Sequence, residues 1–95
     1  MIEPKLTARR FLISGLVQGV GFRYFAQRAS ARYQIKGYVR NLPDGRVETL
    51  AEGPEELVEK FKMDLAAGPS YSRVDGIEEF VVEPTGLFST FRIER

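Results

Sequence analysis

Gly15-Leu16-Val17-Gln18-Gly19-Val20-Gly21-Phe22-Arg23 joins an alternating run to a helical one. Before it, Arg10-Phe11-Leu12-Ile13-Ser14 alternates with period two, as a half-buried strand does. After it, Phe22, Phe25, Ala26, Ala29 and Tyr33 fall on a single helical stripe. The glycines Gly15, Gly19 and Gly21 let the connecting backbone turn tightly and come close to a ligand. The start of the helix offers unpaired N–H groups and the positive end of a dipole, so loop and helix together form an anion site. Arg23, in the first helical turn, adds a planar fork of donors suited to phosphate. On these residues alone two readings stand. One is a phosphoryl cradle; the other is a glycine-rich turn with an incidental arginine.

Working outward, the first strand is expected from about Ala8 to Leu16, with Phe11, Ile13, Gly15 and Val17 on one face. Residues 1 to 7 read as a short tail, because Pro4 blocks an early helix and nothing there alternates. The first helix is expected over Phe22 to about Tyr33. Pro43-Asp44-Gly45 then separates two alternating runs, Ile35 to Leu42 and Arg46 to Ala51, and makes a hairpin through a type I turn. A second helix starts within Glu52-Gly53-Pro54-Glu55-Glu56, with the proline in its first turn. Its apolar stripe is Leu57, Val58, Phe61 and Leu65, and Gly68-Pro69 stops it. Val74 to about Glu83 reads as a strand, Pro84-Thr85-Gly86 as a break, and Phe88 to Glu94 as a last short strand. The order is β-α-β-β-α-β with a terminal strand added. That order folds as two helices on one face of a mainly antiparallel sheet, in a single domain spanning residues 1–95.

Composition narrows the chemistry. The chain has 95 residues, no cysteine and no histidine. Disulfides and cysteine zinc sites are excluded, and the commonest metal ligand and neutral-pH base is missing. No loop has the carboxylate spacing of a calcium site. Fourteen basic and thirteen acidic residues leave a net charge of +1, which is not the footprint of a polyanion binder. No apolar run reaches the roughly 20 residues that span a bilayer. The start, Met1-Ile2-Glu3-Pro4-Lys5, lacks the apolar core of a signal peptide, so a cytoplasmic protein is expected.

Asn41 is the second candidate. It closes its strand just before the turn, on the same face as Val39. An asparagine there either caps the turn through its own side chain or reaches toward the glycine loop. Gln18 is read as shaping that loop, and Phe22 and Tyr38 as packing or rim residues. Ser72-Arg73 is read as structural, and Asp44 and Glu52 as solvated.

Gly15 to Arg23 resembles the first signature of the acylphosphatase family. Gly37-Tyr38-Val39-Arg40-Asn41-Leu42-Pro43-Asp44-Gly45-Arg46-Val47, with Gly53 beyond it, resembles the second. Together they cover about a third of the chain. Their order and spacing match, as do both helix lengths and the Phe91-Arg92-Ile93 ending. The resemblance implies a ferredoxin-like α+β open-faced sandwich and hydrolysis of the carboxyl-phosphate bond of small acyl phosphates. It implies that Arg23 binds the phosphate and Asn41 orients the attacking water. Gln18, Gly19, Val20, Gly21 and Phe22 would complete the cradle through backbone amides. It implies no cofactor and no metal, and a monomer whose partner is the small-molecule substrate rather than nucleic acid or a membrane.

The chemistry agrees with the composition independently. The leaving group is a carboxylate whose conjugate acid has a pKa of about 4 to 5, by analogy with Glu, so no general acid is needed. Phosphoryl transfer asks for positioning and charge stabilisation more than for a base. One Arg, one Asn and a ring of amides supply both. The main rival class is an RNA-recognition module, which shares the element order. Arg46 to Ala51 lacks the aromatics that its third strand would carry. A second rival is a domain of the same family serving carbamoyl-phosphate chemistry inside a larger maturation protein. Such a domain would be followed by others. A small regulatory ligand-binding domain also fits the fold, because fold does not fix function.

Overall fold

The alternating run becomes a central strand with a neighbour on each side. The structure, a computed structural model, describes residues 5–95. Its elements are β1 (Leu6–Leu16), α1 (Phe22–Tyr33), β2 (Lys36–Asn41), β3 (Val47–Pro54), α2 (Glu55–Ala67), β4 (Arg73–Val82) and β5 (Phe91–Glu94). The sheet order is β4-β1-β3-β2-β5. β1 and β2 are therefore separated by β3, as a split βαβ unit requires. Every pairing is antiparallel except β2 with β5, which is parallel.

One face of the sheet carries the core. Phe11 and Ile13 from β1, Val39 from β2, Val47 and Ala51 from β3 and Phe91 from β5 pack with Phe22, Ala26 and Ala29 of α1 and Val58, Phe61 and Leu65 of α2. These are the period-two and helical-stripe residues of the sequence. Burying each large apolar side chain contributes about 1.5–3 kcal/mol. The hairpin forms as expected. The Gly45 amide donates to the Leu42 carbonyl at 3.1 Å, and the Asp44 carboxylate accepts from the Arg46 amide at 3.0 Å.

β4 and β5 lie at opposite edges, so the eight residues 83–90 must cross the face that the helices leave open. Four strand spacings are about 19 Å, and eight extended residues reach about 26 Å. Glu52, which points to that face, holds the crossing chain. Its carboxylate accepts from the Thr85 amide at 2.9 Å and the Gly86 amide at 2.8 Å. Phe88 of the crossing chain lies against Tyr38, ring centres 6.3 Å apart.

This arrangement corrects several expectations. Glu52 is not solvated but 4% exposed, because the crossover covers it. β3 continues past Ala51 to Pro54, since Ala8, Thr7 and Leu6 of β1 pair with Glu52, Gly53 and Pro54. Pro54 is therefore the N-cap of α2, with φ −59° and ψ 138°, and not a residue of its first turn. The same pairing starts β1 at Leu6, so Leu6 and Thr7 leave the expected tail, and residues 1–4 of that tail lie outside the described residues. β5 begins at Phe91 rather than Phe88, which belongs to the crossover. Gly15 sits inside β1, where the pairing with β4 shifts register, and a Cβ there would collide with the Arg73 carbonyl. It serves strand approach, not ligand approach.

Candidate active site

The loop between β1 and α1 is built from both ends. Gly19 and Gly21 take φ of 75° and 76°, the left-handed region that favours glycine. A Cβ on either would meet nothing within 4 Å, so both present open backbone. Gly21 is also the N-cap of α1, and its carbonyl accepts from the Phe25 amide at 3.0 Å. It makes no side-chain cap, and the first turn of α1 carries no acidic residue. The first turn of α2, by contrast, carries Glu55 and Glu56. The amides and positive dipole end at the start of α1 thus meet no acidic side chain of their own turn.

Val17, Gly19, Gly21, Phe22, Arg23, Tyr24, Asn41, Ile93 and Arg95 line one cavity of about 240 Å³ beside this helix end. The two residues singled out by sequence, Arg23 and Asn41, therefore meet although they lie on different elements. The split βαβ topology does this, by bringing the end of β2 to the same end of the sheet as the start of α1. The Arg23 guanidinium donates to the Glu94 carbonyl at 3.3 Å, which props the side chain against β5. Among the described residues Arg23 makes no ion pair.

Gln18, Val20 and Phe22 point their side chains elsewhere. Gln18 Nε2 donates to the carbonyls of Leu42 and Arg46, at 2.8 and 2.9 Å. It ties the loop to both ends of the hairpin turn, next to Asn41. Val20 packs on the core and Phe22 is 1% exposed within it, so neither offers its side chain to a ligand. The sequence reading missed Tyr24, Ile93 and Arg95. For Ile93 and Arg95 the missing signal was the parallel pairing of β5 with β2. For Tyr24 it was its position beside Arg23, off the apolar stripe.

Behind Asn41, the open sheet face is riveted by Glu48, which is 4% exposed. It accepts from Arg40 at 2.6 Å, Arg10 at 3.1 Å and the Tyr38 hydroxyl at 3.2 Å. Burial pushes the Glu48 carboxyl up, but its bonds to Arg10, Arg40 and Tyr38 outweigh this and hold it below the usual carboxylate value. Burial, with the Glu48 charge nearby, pushes the Tyr38 phenol up. β1, β3 and β2 are thereby clamped together beneath the site.

The acylphosphatase family model matches residues 9–93. The chain belongs to the acylphosphatase family. An acylphosphatase of Thermus thermophilus is 48% identical over 84 residues, 88% of this chain and 92% of its own length. The crystal structure of acylphosphatase from Bacillus subtilis superposes with a TM-score of 0.90 at 37% identity, covering 96% of this chain and 100% of that one. The fold is thus the ferredoxin-like sandwich that the family resemblance implies. Full-length HypF, solved in its phosphate- and nucleotide-bound form, also matches, with a TM-score of 0.87 and 32% identity. This chain is covered over 99% of its length there but corresponds to only 12% of HypF. The acylphosphatase fold therefore occurs both alone and within a much larger protein. No helix among the described residues is long and apolar enough to cross a membrane.

Proposed function

We propose that this chain hydrolyses small acyl phosphates at the cavity between the glycine loop and β2, with Arg23 and the loop amides holding the phosphoryl group and Asn41 orienting the water. The observation that supports this most is the convergence of Arg23, Asn41 and the open backbone of Gly19 and Gly21 on one cavity. Water oxygen bonds to phosphorus as the bond from phosphorus to the acyl oxygen breaks. The bonding pair leaves on the carboxylate, and both water protons end on phosphate oxygens, giving dihydrogen phosphate. On this reading the substrate's own phosphoryl oxygen accepts the water proton. No Asp, Glu or His side chain is among the residues that line the cavity.

In a loose transition state the charge spreads over the three non-bridging oxygens. The guanidinium fork and the amides at the start of α1 face that charge without reorganising, which is where such a site gains rate. The same reading makes the chain a single-domain cytoplasmic monomer acting on a small molecule, without nucleic acid, metal or cofactor. The near-neutral charge supports the small-molecule partner.

Phosphate release from benzoyl phosphate, without added metal, tests the reading. Wild type should turn over and Arg23→Ala should lose about 10³-fold or more in kcat/KM, with Arg23→Lys recovering little because a point charge replaces a fork. Equal activity in wild type and Arg23→Ala would remove Arg23 from the site.

A further inference from the structure

The stretch from Gly68 to Gly76 holds both ends of the glycine loop, and the proposed hydrolysis gives it no part. β1 enters that loop through Ser14, Gly15 and Leu16. Its pairing with β3 stops at Ile13, opposite Val47. Beyond that point β1 pairs with the start of β4: Ser14 faces Gly76, Gly15 faces Val74 and Leu16 faces Arg73. Asp75 is left with no residue opposite, a bulge of the kind that re-aims a strand. Gly15, at φ 125°, fits into the bulge. A Cβ there would collide with the Arg73 carbonyl and lie 2.8 Å from the Asp75 nitrogen. The loop leaves through Phe22, the buried first residue of α1. A Cβ on Gly68 would lie 3.5 Å from Phe22 Cε2 and 3.3 Å from Val74 Cγ2, and would collide with Ser72 Oγ.

One turn fixes where this stretch lies. Ser72 donates twice to the Pro69 carbonyl, from its amide at 3.0 Å and from its hydroxyl at 2.7 Å. The Gly68 amide donates to the Asp64 carbonyl at 3.0 Å, so the turn starts from the end of α2. We infer that Ser72 is a positioning residue for the glycine loop. Its hydroxyl closes the turn 69–72 and so sets the start of β4, which pairs with Gly15 and Leu16 at the loop's entry and lies by Phe22 at its exit. Ser72 is not among the residues that line the cavity, and it acts through the backbone that the loop pairs with. Without the hydroxyl the amide bond still forms the turn, which then also samples looser arrangements. The loop amides meet a phosphoryl group in only a fraction of molecules, and apparent affinity falls by that fraction. This inference rests on the acyl-phosphate reading above and adds to it a residue outside the cavity.

The test measures KM for benzoyl phosphate, Ki for inorganic phosphate and Tm in wild type, Ser72→Ala and Glu52→Ala. Ser72→Ala should raise KM and Ki together by about fivefold, the equilibrium equivalent of one net hydrogen bond. Glu52 sits opposite Ala8 and Lys36, at the far end of the sheet from the loop. Glu52→Ala should therefore lower Tm and leave both constants unchanged. An unchanged Ki in Ser72→Ala would make Ser72 structural alone and overturn the inference, while the hydrolase reading stands. An equal rise of Ki in Glu52→Ala would tie the effect to lost stability and overturn the inference too. If wild type releases no phosphate from benzoyl phosphate, the hydrolase reading itself fails, and this inference with it.

Discussion

Gln18 Nε2 lies 2.8 Å from the Leu42 carbonyl and 2.9 Å from that of Arg46. One side chain of the glycine loop thus closes on both sides of the hairpin turn that ends β2. Asn41 immediately precedes Leu42, so this bridge sets the distance between the phosphate loop and the residue assigned to the water.

Gln18→Ala should therefore act on stability and turnover together. Two hydrogen bonds to half-enclosed carbonyls are lost, about 1 kcal/mol each. For a domain of this size that lowers Tm by about 4–8 °C per kcal/mol. Calorimetry and benzoyl phosphate kinetics on one preparation check this. The expected pattern is a lowered Tm with a fall in kcat, because the bridge positions Asn41 without touching substrate.

Glu52 anchors the chain that crosses the open face, through the amides of Thr85 and Gly86. Glu52→Ala removes the acceptor of two amides on an exposed stretch of chain and should cost about 1–2 kcal/mol. Glu52→Gln keeps one acceptor oxygen and should cost less. Hydrogen exchange reads the location: the Gly86 amide should lose protection in Glu52→Ala, while amides of α1 keep theirs relative to the global stability.

The position of Glu48 gives stability a pH dependence. Its carboxyl is held below its ordinary value despite burial, by Arg10, Arg40 and Tyr38. A depressed folded value means that the contribution is present above the unfolded pKa of about 4.3 and is lost as pH falls through the folded value. Unfolding free energy should thus fall on acidification below about pH 4.5. Glu48→Gln should be less stable at pH 7 and show a shallower acid slope. A residual slope should remain, since Glu59, bonded to Arg9, is held down as well. Urea titrations at pH 7, 5 and 3 separate the two proteins.

The sequence disclosed what period and turn chemistry control. Phe11, Ile13, Val39 and Val47 declare one face of the sheet, and Ala26, Val58, Phe61 and Leu65 declare the helix stripes. Asp44-Gly45 declares the hairpin. Arg23 and Asn41 were candidates by place, at a helix start and a strand end, and the resemblance to the acylphosphatase signatures gave them their roles. What stayed hidden depends on contacts distant in sequence. Glu52 looks solvated until the crossover 83–90 lies over it. Pro54 looks like a first-turn residue until Leu6 pairs with it. Arg95 has no local pattern, and only the parallel register of β5 on β2 brings it to the cavity. Gly15, read as part of a ligand loop, is needed because the Arg73 backbone passes where its side chain would be.

We propose that Asn41 orients water for a phosphoryl group held by Arg23 and the glycine loop. The most direct test is the kcat of Asn41→Ala on benzoyl phosphate, with unfolding measured on the same sample. The kcat should fall by about 10²-fold or more, the size of a lost positioned polar contact, with KM little changed. The stability loss should be no larger than about 1 kcal/mol. Full kcat with about 1 kcal/mol of stability lost would make Asn41 a turn cap alone and would contradict the claim.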